Sequence, residues 1–126
     1  MITGFDHIHY ISNNIEEMAK YFERIFGGKE IGRVEVRGYP MIRMDVLGMT
    51  ISFLGTEPNA VQLDPGKGKR GLDHIGFKVK NLEETLEDVK KKGVKVAIGP
   101  SVTPAGVKFA FIDGPEGIRI ELVEKN

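Results

Sequence analysis

Gly4-Phe5-Asp6-His7-Ile8-His9-Tyr10 returns 67 residues later, without a gap, as Gly71-Leu72-Asp73-His74-Ile75-Gly76-Phe77. The match runs on, because Asn14-Ile15-Glu16-Glu17 falls on Asn81-Leu82-Glu83-Glu84. A short chain that repeats itself in this way consists of two copies of one supersecondary unit. In each copy the Asn is placed to cap a helix whose third residue, a Glu, can bond back as in a capping box. The first helix carries Ile15, Met18, Ala19, Phe22, Ile25 and Phe26, and the second Leu82, Leu86 and Val89, so each has one face to bury. Gly27-Gly28 and Gly93 then supply the positive φ with which helices end.

A short strand precedes each helix, at about 4–11 and 72–79, and three more candidates follow. These lie at about 29–37, 40–47 and 49–54 in the first copy and at about 94–98, 107–113 and 117–124 in the second. Turn signals at Gly38-Tyr39-Pro40, Gly48, Gly99-Pro100, Pro104-Ala105-Gly106 and Asp113 to Gly117 separate them. The pattern predicts an α+β fold of two tandem βαβββ modules, about 4–55 and 71–124, with a linker at about 56–70. A four-stranded sheet with one helix covers only one of its faces. Two such sheets side by side would form a curved mixed sheet around a central cleft, with the second copy taken from the same chain or, by exchange, from a twin.

Composition limits the partners. Among 126 residues, 18 Lys and Arg balance 18 Asp and Glu, with 40% hydrophobic and 29% charged residues, as in an ordinary globular domain. Without a clustered basic surface, nucleic acid is not an expected partner. No apolar run approaches membrane-spanning length and the N-terminus lacks the pattern of a secretory signal, so no membrane association and a cytoplasmic location are expected. With no cysteine, any metal must be held by His and carboxylates.

The three histidines are His7, His9 and His74, and two of them occupy equivalent places in the repeat. Strand alternation sets His7 and His9 on one face with Ile8 on the other, and opposite His9 the second copy has Gly76, which leaves space beside His74. Asp6-His7 and Asp73-His74 also read as plain hydrogen-bonded pairs at strand starts, inherited by duplication. Glu121 tips that balance, because it sits mid-strand between Ile120 and Leu122, where a buried carboxylate needs a partner. A divalent metal held by His7, His74 and Glu121 would supply one. The repeat calls for a fourth ligand in the first copy, at Ser52 when counted from the turn glycine or at Phe53 after a one-residue slip. Neither is a usual ligand, and two His with one carboxylate and an open position match a catalytic metal or the facial triad of non-haem iron.

The paired copies, the Asp-His-Ile strand starts and the closing Ile112-Asp113-Gly114-Pro115-Glu116-Gly117-Ile118-Arg119-Ile120-Glu121-Leu122 resemble the vicinal oxygen chelate superfamily. This is the group of glyoxalase I, methylmalonyl-CoA epimerase, extradiol dioxygenases and bleomycin-resistance proteins. Over nearly the whole chain, the resemblance implies His7, His74 and Glu121 as metal ligands. The ion would be one of Ni, Co, Zn, Mg, Mn or Fe(II).

It further implies a lyase or isomerase that stabilises an enediolate of a small substrate with vicinal oxygens, with Glu121 as ligand and proton carrier. His9, Glu35 and Asp45 are candidates for a second base. Arg33, Arg37 and Arg43 are candidates for holding a substrate carboxylate or phosphate, as is the Gly66-Lys67-Gly68-Lys69-Arg70 run for a phosphate. The missing fourth ligand favours a rival, an iron-dependent ring-cleaving dioxygenase. A drug- or metabolite-binding protein without turnover is the third reading. A homodimer is the habit that the resemblance implies.

Overall fold

The computed structural model describes residues 1–62, 68 and 70–125. The elements are β1 (His7–Ser12), α1 (Ile15–Phe26), β2 (Lys29–Val36), β3 (Tyr39–Val46), β4 (Met49–Gly55), β5 (Ile75–Val79), α2 (Leu82–Lys91), β6 (Val96–Val102), β7 (Lys108–Asp113) and β8 (Arg119–Glu124). They form two four-stranded mixed sheets, ordered β1-β4-β3-β2 and β5-β8-β7-β6. The βαβββ repeat is therefore present in both halves. The chain divides into two compact units, Met1–Val61 and Gln62–Asn126.

In each unit the first strand pairs in parallel with the last, and the remaining pairs are antiparallel. That parallel pair is possible because the helix and two further strands carry the chain back before the last strand begins. Two-residue turns join the hairpins of the first unit. Arg37 and Gly38 (φ 53° and 84°) link β2 to β3, and Leu47 and Gly48 (φ 54° and 88°) link β3 to β4. Paired positive φ values match the right-handed twist of the flanking strands.

Both helices are capped by Asn as expected, but at α1 the capping-box return bond is replaced, because the Asn14 amide donates to Ser12 Oγ at 3.0 Å while Glu17 Oε2 accepts from Asn14 Nδ2 at 3.4 Å. The Glu17 amide donates to Asn14 Oδ1 at 3.1 Å and the Glu84 amide to Asn81 Oδ1 at 3.0 Å. At the far end of α1, Gly27 takes the left-handed conformation, and the Gly28 amide donates to the Phe22 carbonyl at 3.0 Å. A Cβ on Gly28 would stand 3.1 Å from both Met44 Cε and the Phe22 carbonyl oxygen, so the lack of a side chain lets the chain leave the helix close against β3. In the second unit the Leu82 amide donates to Glu124 Oε2 at 2.9 Å, so the last strand holds the start of the helix.

The core of each unit lies between helix and sheet. Phe22 stacks on Phe53 (centroids 5.3 Å apart), which in turn stacks on Tyr10 (6.0 Å), beside the buried Ile42, Met44 and Ile51. Leu82, Leu86 and Val89 of α2 are buried with Ile112, Ile120 and Leu122 of the second sheet. Fully burying each such side chain contributes about 1.5–3 kcal/mol.

Two strands differ from expectation. β6 runs through Gly99-Pro100, read above as a turn, to Val102. It is an edge strand, where a missing proline N–H costs no ladder bond, and its register with β7 shifts between Ile98 and Ser101 to absorb the extra residues. β5 begins at Ile75, so His74 stands one residue before the strand.

Candidate functional site

Strand register decides which residues can act together. In the second unit Glu121 of β8 lies between Gly76 of β5 and Phe111 of β7. Ile120 and Leu122, its neighbours in sequence, are buried on the helix side. Glu121 therefore stands on the sheet face away from the helix, called here the open face.

His74 reaches the same place. Its Nε2 is 3.0 Å from Glu121 Oε2, and its Nδ1 donates to Asp73 Oδ2 at 2.8 Å. Phe111 packs its ring against the imidazole at 84° with centroids 4.8 Å apart. The imidazole is thus held by a carboxylate at one nitrogen and by an aromatic face, with the other nitrogen presented to Glu121. A Cβ on Gly76 would lie 3.5 Å from Glu121 Oε2, in ordinary contact, so Gly76 stands directly beside the carboxylate without a side chain to crowd it. The Asp73 hydrogen bond, reinforced by Glu121 and opposed by burial, raises the proton affinity of His74 above the usual histidine range.

In the first unit His7 Nδ1 donates to Asp6 Oδ2, also at 2.8 Å. His7 and His9 share the open face of β1, their rings 6.3 Å apart. Burial lowers the proton affinity of His9, and the charges of His7 and Arg37 lower it further. The ladder gives the position in the first unit that matches Glu121, since Ser52 pairs with His9 on one side and Arg43 on the other. It is the counterpart of Glu121, which pairs with Gly76 and Phe111. Phe53 is excluded because it is fully buried in the helix-side core.

The other candidates separate in the same way. Arg33 lies on the helix side of β2, where its guanidinium is bonded by Glu16 of α1 and by Glu30. Glu35, two residues on, shares that face and cannot serve a centre on the open one. Asp45 is on the open face, but its Oδ1 accepts from the Gly48 amide at 3.0 Å and so braces the turn. Arg43 is exposed on the open face and, among the described residues, makes no ion pair. Of the glycine and lysine run, Gly66, Lys67 and Lys69 lie outside the described residues.

Tyr10, Phe53 and Phe77 belong to the helix side, whereas Phe109 and Phe111 alternate with the buried Ala110 and Ile112 and stand on the open face. Burial pushes the Tyr10 hydroxyl up to about 12. From sequence alone Phe111 is one of several aromatics that can pack into a core or line a pocket, and its alternation with the buried Ala110 and Ile112 assigns it to the open face.

Among the described residues no three His, Asp or Glu side chains form a group arranged to hold a metal ion. The His74 and Glu121 pair nevertheless has suitable donor chemistry. A metal-ligating imidazole commonly donates its other N–H to a carboxylate, which fixes the tautomer and raises its basicity, and Asp73 occupies that position. The expected ligands divide between the units, with His7 in the first and His74 with Glu121 in the second.

Residues 4–122 match the family model described as Glyoxalase/Bleomycin resistance protein/Dioxygenase superfamily. The chain belongs to that superfamily. A relative within reach of it is a probable chloroplastic lactoylglutathione lyase of Arabidopsis thaliana, 39% identical over 130 residues. That match covers 94% of this chain but only 35% of the relative, so the chain spans about a third of its length.

Solved structures of the superfamily confirm the fold. A glyoxalase family protein of Enterococcus faecalis matches with a TM-score of 0.84 and 17% identity, covering 96% of this chain and 97% of that one. The fosfomycin resistance protein FosX of Listeria monocytogenes, in complex with Mn(II) and sulfate ion, matches with a TM-score of 0.73 and 19% identity over 100% and 95% of the two chains. No helix among the described residues is long and apolar enough to cross a membrane.

Proposed function

We propose that this superfamily member is a divalent-metal-dependent lyase or isomerase of the glyoxalase and epimerase kind, acting on a small compound with two adjacent oxygens. The observation that carries the reading is the His74 and Glu121 pair, with Nε2 and Oε2 converging at 3.0 Å while Asp73 ties down the other nitrogen. His7, tied in the same way by Asp6, would complete the ligand set. An ion bound there would polarise a substrate oxygen and favour loss of a proton from the neighbouring carbon.

The protein's own part is to position groups and move the proton. Asp6 and Asp73 fix which nitrogen of each imidazole faces outward, and Phe111 holds the plane of the His74 ring. Glu121 is the carboxylate that faces His74 Nε2 and the first candidate to carry the proton. His9, its proton affinity lowered by burial, is a candidate to accept one. The lactoylglutathione lyase relative and the Mn(II)-bound FosX support this direction of search. A homodimer, the expected assembly, is part of the same proposal.

The test is metal content by plasma mass spectrometry on untagged protein, beside His7→Ala, His74→Ala and Glu121→Ala. Near-stoichiometric metal in the wild type, lost in all three variants, is the expected result. Full metal content in the Glu121→Ala protein would remove the premise.

A second reading rests on Ser52. With a small hydroxyl residue rather than a carboxylate opposite Arg43, the ligand set stops at two His and one Glu, the set used by non-haem Fe(II) oxygenases. Fe(II)-dependent oxygen uptake with a catechol would establish that reading, and turnover without oxygen on Ni, Co, Zn or Mg would dismiss it.

A further inference from the structure

One row on the open face of the first unit gathers polar side chains with no carboxylate among them. Ser52 of β4 pairs with His9 on one side and Arg43 on the other, and Arg43 pairs in turn with Gly32 of β2. His9 and Arg43 are exposed, whereas Ser52 between them is recessed, at 3% exposure. Adjacent strands lie about 4.8 Å apart, so the row sets a short side chain between two long ones across about 10 Å of sheet.

None of the three is tied up inside the protein. Among the described residues Arg43 makes no ion pair or side-chain hydrogen bond, and the Ser52 hydroxyl has no hydrogen-bond partner. No fully enclosed polar side-chain atom among them lacks a partner, so the Ser52 hydroxyl opens on to the face rather than into the core. A Cβ at Gly32 would meet nothing within 4 Å, which leaves the outer side of Arg43 uncovered by β2. Asp45, two residues along β3, is bonded to the Gly48 amide at 3.0 Å and braces the turn. The charges felt by His9, from His7 and Arg37, are both positive. A recessed hydroxyl beside an unpaired guanidinium is a donor set for an oxyanion, since the guanidinium supplies charge and a fork of N–H groups and the hydroxyl a further hydrogen bond from below.

We propose that Arg43 and Ser52, with His9 as the far wall, form a subsite for an oxyanion, the carboxylate or phosphate group of the substrate. The inference deepens the proposed function and rests on it for the place of the metal beside His7. His7 stands two residues from His9 on the same face, about 7 Å along β1. The substrate class is therefore a small acid whose charged group lies apart from the two oxygens that meet the metal, with Arg43 as anchor and Ser52 as floor.

The experiment is a nuclear magnetic resonance titration of isotope-labelled, chelator-treated protein with inorganic phosphate and, in a second series, with acetate, while chloride holds the ionic strength constant. The variants are Arg43→Gln, Ser52→Ala and Lys29→Gln, the last a cation of the same face in the row of His7 and Asp45. Arg43 and Lys29 are exposed, Ser52→Ala removes a single oxygen, and dispersed amide spectra check that each variant is folded.

Saturable shifts at the amides of His9, Ser52 and Arg43 are expected with at least one of the two anions, and the one that binds identifies the charged group. Arg43→Gln should weaken binding about tenfold and Ser52→Ala about threefold, with Lys29→Gln within about twofold of wild type. Shifts that do not saturate, shifts centred elsewhere, or an unchanged titration of Arg43→Gln or Ser52→Ala would overturn the subsite. Equal losses in Arg43→Gln and Lys29→Gln would do so too, because they mark diffuse attraction by charge. The titrations contain no metal, which separates the two ideas. Saturable anion binding by a protein that takes up no metal leaves the subsite standing without the metal reading, and metal uptake without anion binding does the reverse.

Discussion

Leu47 combines a positive φ of 54° with 71% exposure. A branched side chain in the left-handed region carries a steric cost of about 1–2 kcal/mol, and here little burial offsets it. Asn tolerates the same conformation, so Leu47→Asn should raise stability by about 0.5–1 kcal/mol. A higher urea midpoint with unchanged slope is the check, and a lower midpoint would show that Leu47 packs usefully. Asp73 makes the complementary case, a residue whose removal should matter little to folding and greatly to function. Its carboxylate holds His74 Nδ1, and an amide in its place can present either end to that nitrogen. If the metal proposal holds, Asp73→Asn should weaken metal binding about 10- to 100-fold at nearly unchanged melting temperature. Equal affinity by competitive chelator titration would count against it.

Helix α2 is held at its start by a residue 42 positions further along the chain, the Glu124 carboxylate on the Leu82 amide. Glu124→Ala leaves that amide without its partner at the positive end of the helix, and a loss of about 0.5–2 kcal/mol is expected in thermal unfolding. On the first unit, Arg33 ties β2 to α1 through Glu30 and Glu16, and its hydrogen bonds lower both carboxyls below their ordinary value of 4.5. Groups depressed on folding contribute stability above the unfolded pKa and lose it as pH falls through the folded one. The melting-temperature gap between wild type and Arg33→Met should therefore close on acidification below about pH 4, and a gap independent of pH would refute the linkage. These elements also show what was legible beforehand. Helices with Asn caps and glycine stops, hairpins with their turns, and the two-copy plan followed from Asn14, Asn81, Gly27 and the Asp-His repeats, because those signals are local. The Glu124 cap, the Phe111 contact with His74 and the helix-side position of Glu35 depend on strand register. Register is fixed by pairing between distant segments, so a single strand read alone does not disclose it.

At the scale of the whole chain, one βαβββ unit occurs twice, with equal numbers of formal positive and negative charges and an isoelectric point near 6.8. The two copies have diverged at matching positions, where the first has His9, Ser52 and Arg43 and the second Gly76, Glu121 and Phe111. The spacing that aligns the first strands no longer aligns the last, and for that reason the counterpart of Glu121 could be identified only from the ladders. Within each copy the neighbouring strands complement each other in size. Gly76 leaves room for Glu121, while Ser52, only 3% exposed, leaves room for His9. That reciprocity constrains descent. Ser52→Glu alone would set a carboxylate against the His9 imidazole and should lower the melting temperature, whereas adding His9→Gly recreates the pair already proven in the other copy and should recover most of the loss. Non-additive melting temperatures in this double-mutant cycle would show that the two positions are locked to one another, so that neither residue is free to change alone.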